Sequence, residues 1–480
     1  MKIFRVSTVL MTIIAMSAPG MSASDLRDRM LTPDSLANVR WEIADSVVYN
    51  APASDNTAEI EWWGMFDDPI LDSLLVRGVE NNYNVAMAAR RMEIARQTLN
   101  QARSLYFPEF GLSLGWSKSR TSGARVSSGT PATNSSAFTA GVDMSWQIDL
   151  FGKITAGVKQ RRSQWRASRA EYDGAMLTLR ANIASAYIQL RLLQAEMDVT
   201  RAHMESQKGV YDMAKARFEA GLASQLDVAQ AATVYYQTLA TTPALESAIE
   251  STLNSLTILM GEMPGSMDRL LTDSAEIPYP GRILGAGMPM ELIRRRPDIA
   301  AAEAQVAAAA EALGIARKDY LPTLTLNGSI GTAAHRAGDL FKRNALEYSI
   351  APTLSWTIFD GMARKYGVIS AREQMEAEID NYNLTVITAV SDVDNALAGY
   401  KSAMKQIDYY ARVVEESKKA LDKSVDLFRS GLASFSDVED SQLNYLNYTN
   451  SWLEARAKAA TALVSLYEAL GGGWTADHLG

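Results

Sequence analysis

The chain has 480 residues, 47% of them hydrophobic, a formal net charge of -8 and no cysteine. The acidic balance gives no electrostatic footprint for nucleic acid; the missing thiols exclude disulfides, thiolate metal sites and a cysteine nucleophile. His203, His335 and His478 lie far apart and show no metal-ligand spacing, so no cofactor is expected.

Residues 1–24 read as a secretory signal peptide. Lys2 and Arg5 lead an apolar run from Val6 to Ala15, and Ser22, Ala23 and Ser24 offer a cleavage site near Asp25. The run is well short of the roughly 20 residues a spanning helix needs, and no later apolar run is expected to be long enough. Residues 25–68 read as an extended N-terminal segment. A first repeat, 69–262, follows: helix 70–104, strands 106–117 and 137–151, helix 153–219, a turn at Gly221 and helix 224–260. The stretch 153–219 holds no proline, and as one helix it spans about 100 Å. That suits a coiled coil or a tube wall, not a globular interior.

A linker, 263–297, carries Pro264, Pro278, Pro280, Pro289 and Pro297. The second repeat, 298–472, then reads as helix 298–318, strands 321–331 and 347–359, helix 361–429, a turn at Gly431 and helix 434–470, before a tail at 473–480. Four landmarks recur in order about 210 residues apart. ARFEAGLASQLDVA (216–229) matches DLFRSGLASFSDVE (426–439), and Trp146 matches Trp356. Tyr106-Phe107-Pro108 matches Tyr320-Leu321-Pro322, and Gly261 matches Gly471.

The strands carry the membrane argument. In 138–150, apolar residues alternate strictly with Thr139, Gly141, Asp143, Ser145, Gln147 and Asp149. Soluble hairpins over a core alternate too, but these strands match the 9–11 residues of a tilted spanning strand. Trp116, Trp146, Trp356 and Tyr348 near strand ends suit interfacial belts. Four strands cannot close, and lipid tolerates no open edge. Two copies give eight strands and a filled interior, whereas three give twelve and room for a duct. The expected fold is an α+β membrane protein, internally duplicated, with a long antiparallel α-helical barrel and a transmembrane β-barrel of four strands per subunit. The loop 119–136 and a second at 332–346, with Arg336, Lys342 and Arg343, are then extracellular.

LIRRRPDIAAAEAQVAAA (292–309), EWWGMFDDPILDSLL (61–75) and WQIDLFGKI (146–154) resemble signatures of TolC-like outer-membrane factors, the channels of resistance-nodulation-division efflux pumps. With the two GLAS turns the resemblance covers essentially the whole chain after the signal. It implies a homotrimer in outer-membrane lipid with a twelve-helix periplasmic tunnel, an iris at its lower end, and tips docking a periplasmic adaptor beside an inner-membrane pump. No enzyme activity and no nucleic-acid partner are implied. Many pump-associated members carry an acylated cysteine after the signal; here no lipid anchor is expected. Export of proteins is the runner-up cargo class, and a periplasmic coiled-coil scaffold is the competing reading from another class.

The turns Gly221-Leu222-Ala223 and Gly431-Leu432-Ala433 read as helix C-caps; the resemblance adds adaptor contact, with Phe218, Phe428 and Leu432 as packing neighbours. It also places Asp227, Asp437 and Asp440 at the constriction, where threefold symmetry makes each a ring of carboxylates. Ser224-x-x-Asp227 and Ser434-x-x-Asp437 equally fit capping boxes, which leaves Asp440 as the better gate candidate. Arg217 and Arg429 are expected to pair with neighbours and latch the closed state. Arg294, Arg295 and Arg296 are expected to pair with acidic helix faces.

Overall fold

The computed structural model describes residues 29–31, 62–122, 133–267, 271, 274–279 and 296–472. The signal segment, most of 25–61, Arg294, Arg295 and the tail 473–480 lie outside the described residues. Helices α1 (Pro69–Asn81) and α2 (Tyr83–Ser104) lead to strands β1 (Glu109–Thr121) and β2 (Thr133–Ile148). Helices α3 (Lys153–Glu219) and α4 (Gln225–Leu259) close the first half. The second half holds α5 (Pro297–Lys318), β3 (Thr323–Ala334), β4 (Leu346–Ser355), α6 (Ala363–Arg429) and α7 (Phe435–Ala469). The duplication is visible in the lengths: α3 and α6 have 67 residues each, α4 and α7 have 35, and α2 and α5 have 22.

Two expectations about element bounds change. Helix 70–104 is two helices, divided at Asn82. The Asn82 side chain caps α2 by accepting from the Asn84 and Val85 amides at 2.8 and 3.1 Å, and donates to the Leu259 carbonyl at 2.9 Å. The strands also shift outward. β1 runs 109–121 rather than 106–117, because the Phe107 amide still bonds Ser104 of the preceding helix. β2 runs 133–148 rather than 137–151. β4 stops at Ser355 rather than 359, where Arg364 takes the Thr357 carbonyl at 2.6 Å and turns the chain towards α6.

The chain forms two compact units, the first from residues 1–30, 91–168 and 301–382 and the second from 31–90, 169–300 and 383–480. In the first, the strands form one antiparallel sheet in the order β1-β2-β3-β4. Both halves repeat one packing plan beneath it: Leu99 of α2 against Ile154 and Val158 of α3, and Val306, Ala309 and Leu313 of α5 against Met375 and Ile379 of α6. The Trp146 and Trp356 indoles donate to the Tyr106 and Tyr320 carbonyls at 3.1 and 3.0 Å, the same bond twice. Helix α5 is long and apolar enough by composition to cross a membrane, yet it holds no unbroken apolar run of that length, as expected. Its hydropathy comes from alanines interrupted by Glu303 and Glu311, and its larger apolar side chains face α6.

The second unit is built around Trp62, Leu71, Leu74, Ile183, Tyr187, Leu256 and Leu463, all fully buried. Trp62 stacks on Tyr467 with 5.6 Å between centroids. The Tyr187 hydroxyl donates to Asp68 at 2.6 Å and accepts from Arg191 at 3.0 Å, tying α1 to α3. Arg296 bridges Asp298 and Asp392 at 2.7 and 3.1 Å and donates to the Ala469 carbonyl, an acidic-face pairing of the expected kind.

Candidate functional site

Two surfaces are candidates for function, one in each unit. The first is the sheet. Its register puts Trp116–Phe138–Ala334, Leu114–Ala140–Thr332–Leu346, Leu112–Val142–Ile330–Tyr348 and Phe110–Met144–Gly328–Ile350 in successive rows on one side. Trp146–Leu326–Pro352 and Ile148–Leu324–Leu354 complete that side. Ten residues separate the first row from the last along β2, about 34 Å of strand. Tilted by about 40°, that is a band roughly 26 Å tall, close to the apolar band of outer-membrane barrels. Leu112, Leu114, Tyr348 and Ile350 are each at least 75% exposed, so nothing among the described residues covers this face.

The other face is small and polar. Ser113 donates to Asp143 at 2.8 Å, Ser145 to Asn327 at 3.3 Å, and the Ser329 and Ser349 hydroxyls meet at 2.9 Å. Its charges are Glu109, Asp143 and Glu347, all acidic. An apolar side without cover and a hydrated side with no core beneath it are the two walls of a lipid–water boundary.

The second surface is the pair of hairpin tips. Gly221 and Gly431 have φ of 72° and 73°, a conformation only glycine adopts cheaply. Leu222 and Leu432 donate back to the carbonyls of Arg217 and Leu427 at 2.8 and 2.9 Å, ending α3 and α6 identically. Ser224 and Ser434 then start α4 and α7. The Asp227 carboxylate accepts from the Ser224 amide and hydroxyl at 2.8 and 2.9 Å, and Asp437 does the same for Ser434 at 2.9 and 2.8 Å. Asp440, one turn on and exposed, makes no hydrogen bond or ion pair among the described residues. Its repeat counterpart is Gln230, so this acid occurs once per subunit.

The repeat hides an asymmetry. Phe428 is 4% exposed and packs on Phe435 beside Val210, Ala214 and Val438, whereas its counterpart Phe218 is 43% exposed. Phe428 is therefore core, not a surface for a partner; Phe218, Leu222 and Leu432 remain exposed. Arg217 finds main-chain partners instead of an acid. It donates to the Phe428 and Arg429 carbonyls, the latter at 2.9 Å, and lies over the Phe428 ring. One arginine thus pins the first tip to the C-terminus of α6. Sequence reasoning singled out Arg217 but not this bond, since a carbonyl acceptor leaves no signature. Arg429 is exposed and contributes its carbonyl to the same contact.

A four-stranded sheet with a lipid-type face, joined to two long helical hairpins, defines a channel-forming outer-membrane subunit. The comparisons agree. A sequence model described as "Outer membrane efflux protein" matches residues 74–262 and 288–472. A pyoverdine export outer membrane protein of Pseudomonas aeruginosa is 31% identical over 440 residues, covering 90% of this chain and 91% of the relative. The solved outer-membrane channel OprN superposes with a TM-score of 0.83 at 26% identity, over 90% of this chain and 98% of that one. The open-state MtrE outer membrane channel of Neisseria gonorrhoeae gives 0.79 at 26% identity, over 89% and 95%. The chain belongs to the outer membrane efflux protein family, the TolC-like outer-membrane factors. It is an efflux channel component of the outer membrane that extends into the periplasm.

Proposed function

We propose that three copies close one twelve-stranded barrel and one helical tunnel, giving a passive exit duct for small molecules. A periplasmic adaptor and an inner-membrane pump of the resistance-nodulation-division type drive it. The observation that carries this reading is the sheet: among the described residues, strands β1 and β4 are both edges and nothing covers the apolar face. An open edge in lipid leaves main-chain groups unbonded at several kcal/mol each, so the edges must pair between copies. Small-molecule cargo is favoured over protein by the signature stretches 292–309 and 146–154, and by the likeness to a pyoverdine export protein.

Gating lies at the tips. Asp440 forms a ring of three carboxylates, reinforced by six more from Asp227 and Asp437, which also cap their helices. Rings of like charge favour cations and repel one another. Arg217, through its hold on Phe428 and Arg429, keeps the two tips of a subunit together. The turns Gly221-Leu222-Ala223 and Gly431-Leu432-Ala433 present their leucines to the adaptor. Planar-bilayer conductance tests the gate. The parent should give small cation-selective currents that grow in D437A/D440A; equal currents would leave Asp437 a cap alone and remove Asp440 from the gate.

A further inference from the structure

We propose that Lys118, Arg120 and Arg336 bind the phosphate groups of an outer-leaflet glycolipid. This deepens the membrane reading above and rests on it. The register carries the argument. Lys118 pairs with Ser136 and Arg120 with Asn134, each an even step beyond the Trp116–Phe138 pair, so all project from the apolar side of the sheet. On β3 the last row ends at Ala334 opposite Phe138. Beyond Ala334 the ladder ends, and side chains hold the next residue to β2: His335 Nδ1 donates to the Ser136 carbonyl at 2.8 Å, and the Ser136 hydroxyl donates to the His335 carbonyl at 3.2 Å. Arg336 follows in the bend after β3, exposed and next to the residue held to Ser136.

The outward face therefore changes within one row from tryptophan, phenylalanine and alanine to lysine and serine, with Arg336 in the bend beside them. The inward positions at the same level are Ser117, Ser119, Ser135, Ala137 and Ala333, with no charge. Positive charge placed only for solubility has no reason to keep to the lipid side, least of all in a chain of net charge -8. Lys118 and Arg120 have no ion-pair partner among the described residues. Arg336 has only the influence of Asp339, whose carboxylate is held by Lys342 at 2.6 Å. At the opposite end of the band, where the chain enters α3, Lys153 is paired with Asp319 at 2.5 Å. An aromatic row at the hydrocarbon edge with a cationic row just above it matches the layering of a phosphorylated lipid. Lysine supplies a point charge there and each arginine a two-pronged donor for phosphate oxygens.

The test is native mass spectrometry of the detergent-purified full chain titrated with lipid A, with its dephosphorylated form, and with inorganic phosphate as competitor. Each cation near an anionic surface contributes about a fivefold gain in affinity. K118Q/R120Q/R336Q should then bind lipid A on the order of a hundredfold more weakly, with the dephosphorylated lipid unaffected. Millimolar inorganic phosphate should not displace the lipid. Equal binding by parent and variant, or no preference of the parent for the phosphorylated lipid, overturns the site. Insertion into phosphatidylcholine vesicles separates the two claims. If both proteins insert, a failed titration removes only the phosphate site; if the parent does not insert, the membrane reading falls with it.

Discussion

Replacing Arg217 with alanine removes the side chain that hydrogen-bonds the first hairpin tip to the second. The guanidinium gives two hydrogen bonds to carbonyls at the end of α6 and covers the Phe428 ring at 5.1 Å. Charged hydrogen bonds contribute about 1.5–3 kcal/mol each when protected, and a half-exposed cation–π contact about 0.5–1. Two corrections lower the sum. Water reaches this tip and replaces part of the bonding, and the Arg217 Nε–H is buried without an acceptor, a cost that the substitution removes. A net loss of about 2 kcal/mol remains, equivalent to roughly thirtyfold in the ratio of joined to separated tips. Amide hydrogen exchange at Arg429–Leu432 should accelerate by about that factor, and bilayer recordings should show more frequent opening. Lysine, with a single point charge, should recover only part of the effect. Exchange within threefold of the parent's, with opening unchanged, would refute the staple.

Two further outcomes follow from named contacts. Asn82→Ala removes the α2 cap and the bond to the Leu259 carbonyl at a position 3% exposed, so thermal unfolding should show a loss of about 2 kcal/mol with single-channel conductance unchanged. Unaltered stability would mean that α1 and α2 do not need their break. Glu196 on α3 has its carboxyl pushed up to about 7 from 4.5, first by burial and then by Glu454. A raised acid favours the fold while protonated, so the penalty is absent below about pH 4.5, grows between the two values and is complete above about pH 7. Glu196→Gln should therefore leave stability unchanged at pH 4 and raise it by about 1–2 kcal/mol at pH 8, after discounting for solvent screening. A gain of the same size at both pH values would discard the titration argument.

The repeat was the most legible feature because it rests on glycines, tryptophans and helix lengths that physical constraint fixes at both copies. The alternation in Phe138–Leu150 likewise told which side of each strand is apolar, and the register puts all four apolar sides together. Strand ends were harder. Beyond Trp116 the residues Ser117, Ser119 and Thr121 pair with Ala137, Ser135 and Thr133, and neither side is apolar, so the period of two fades while the ladder continues. The break at Asn82 sits in a segment without proline; the cues were Gly78 and the asparagine cluster Asn81, Asn82 and Asn84. At the tips the sequence placed Asp227 and Asp437 in capping motifs but treated Phe218 and Phe428 alike. Their different burial depends on which neighbouring helix each meets, and a repeat cannot encode that within itself.

The claim that subunits complete one another's barrel is tested most directly by counting them. Native mass spectrometry of the protein released from lipid nanodiscs should give a single species of three times the processed chain mass. A particle of one or two chains, inserted and folded, would leave the edges of β1 and β4 without the closure proposed here and would contradict the duct.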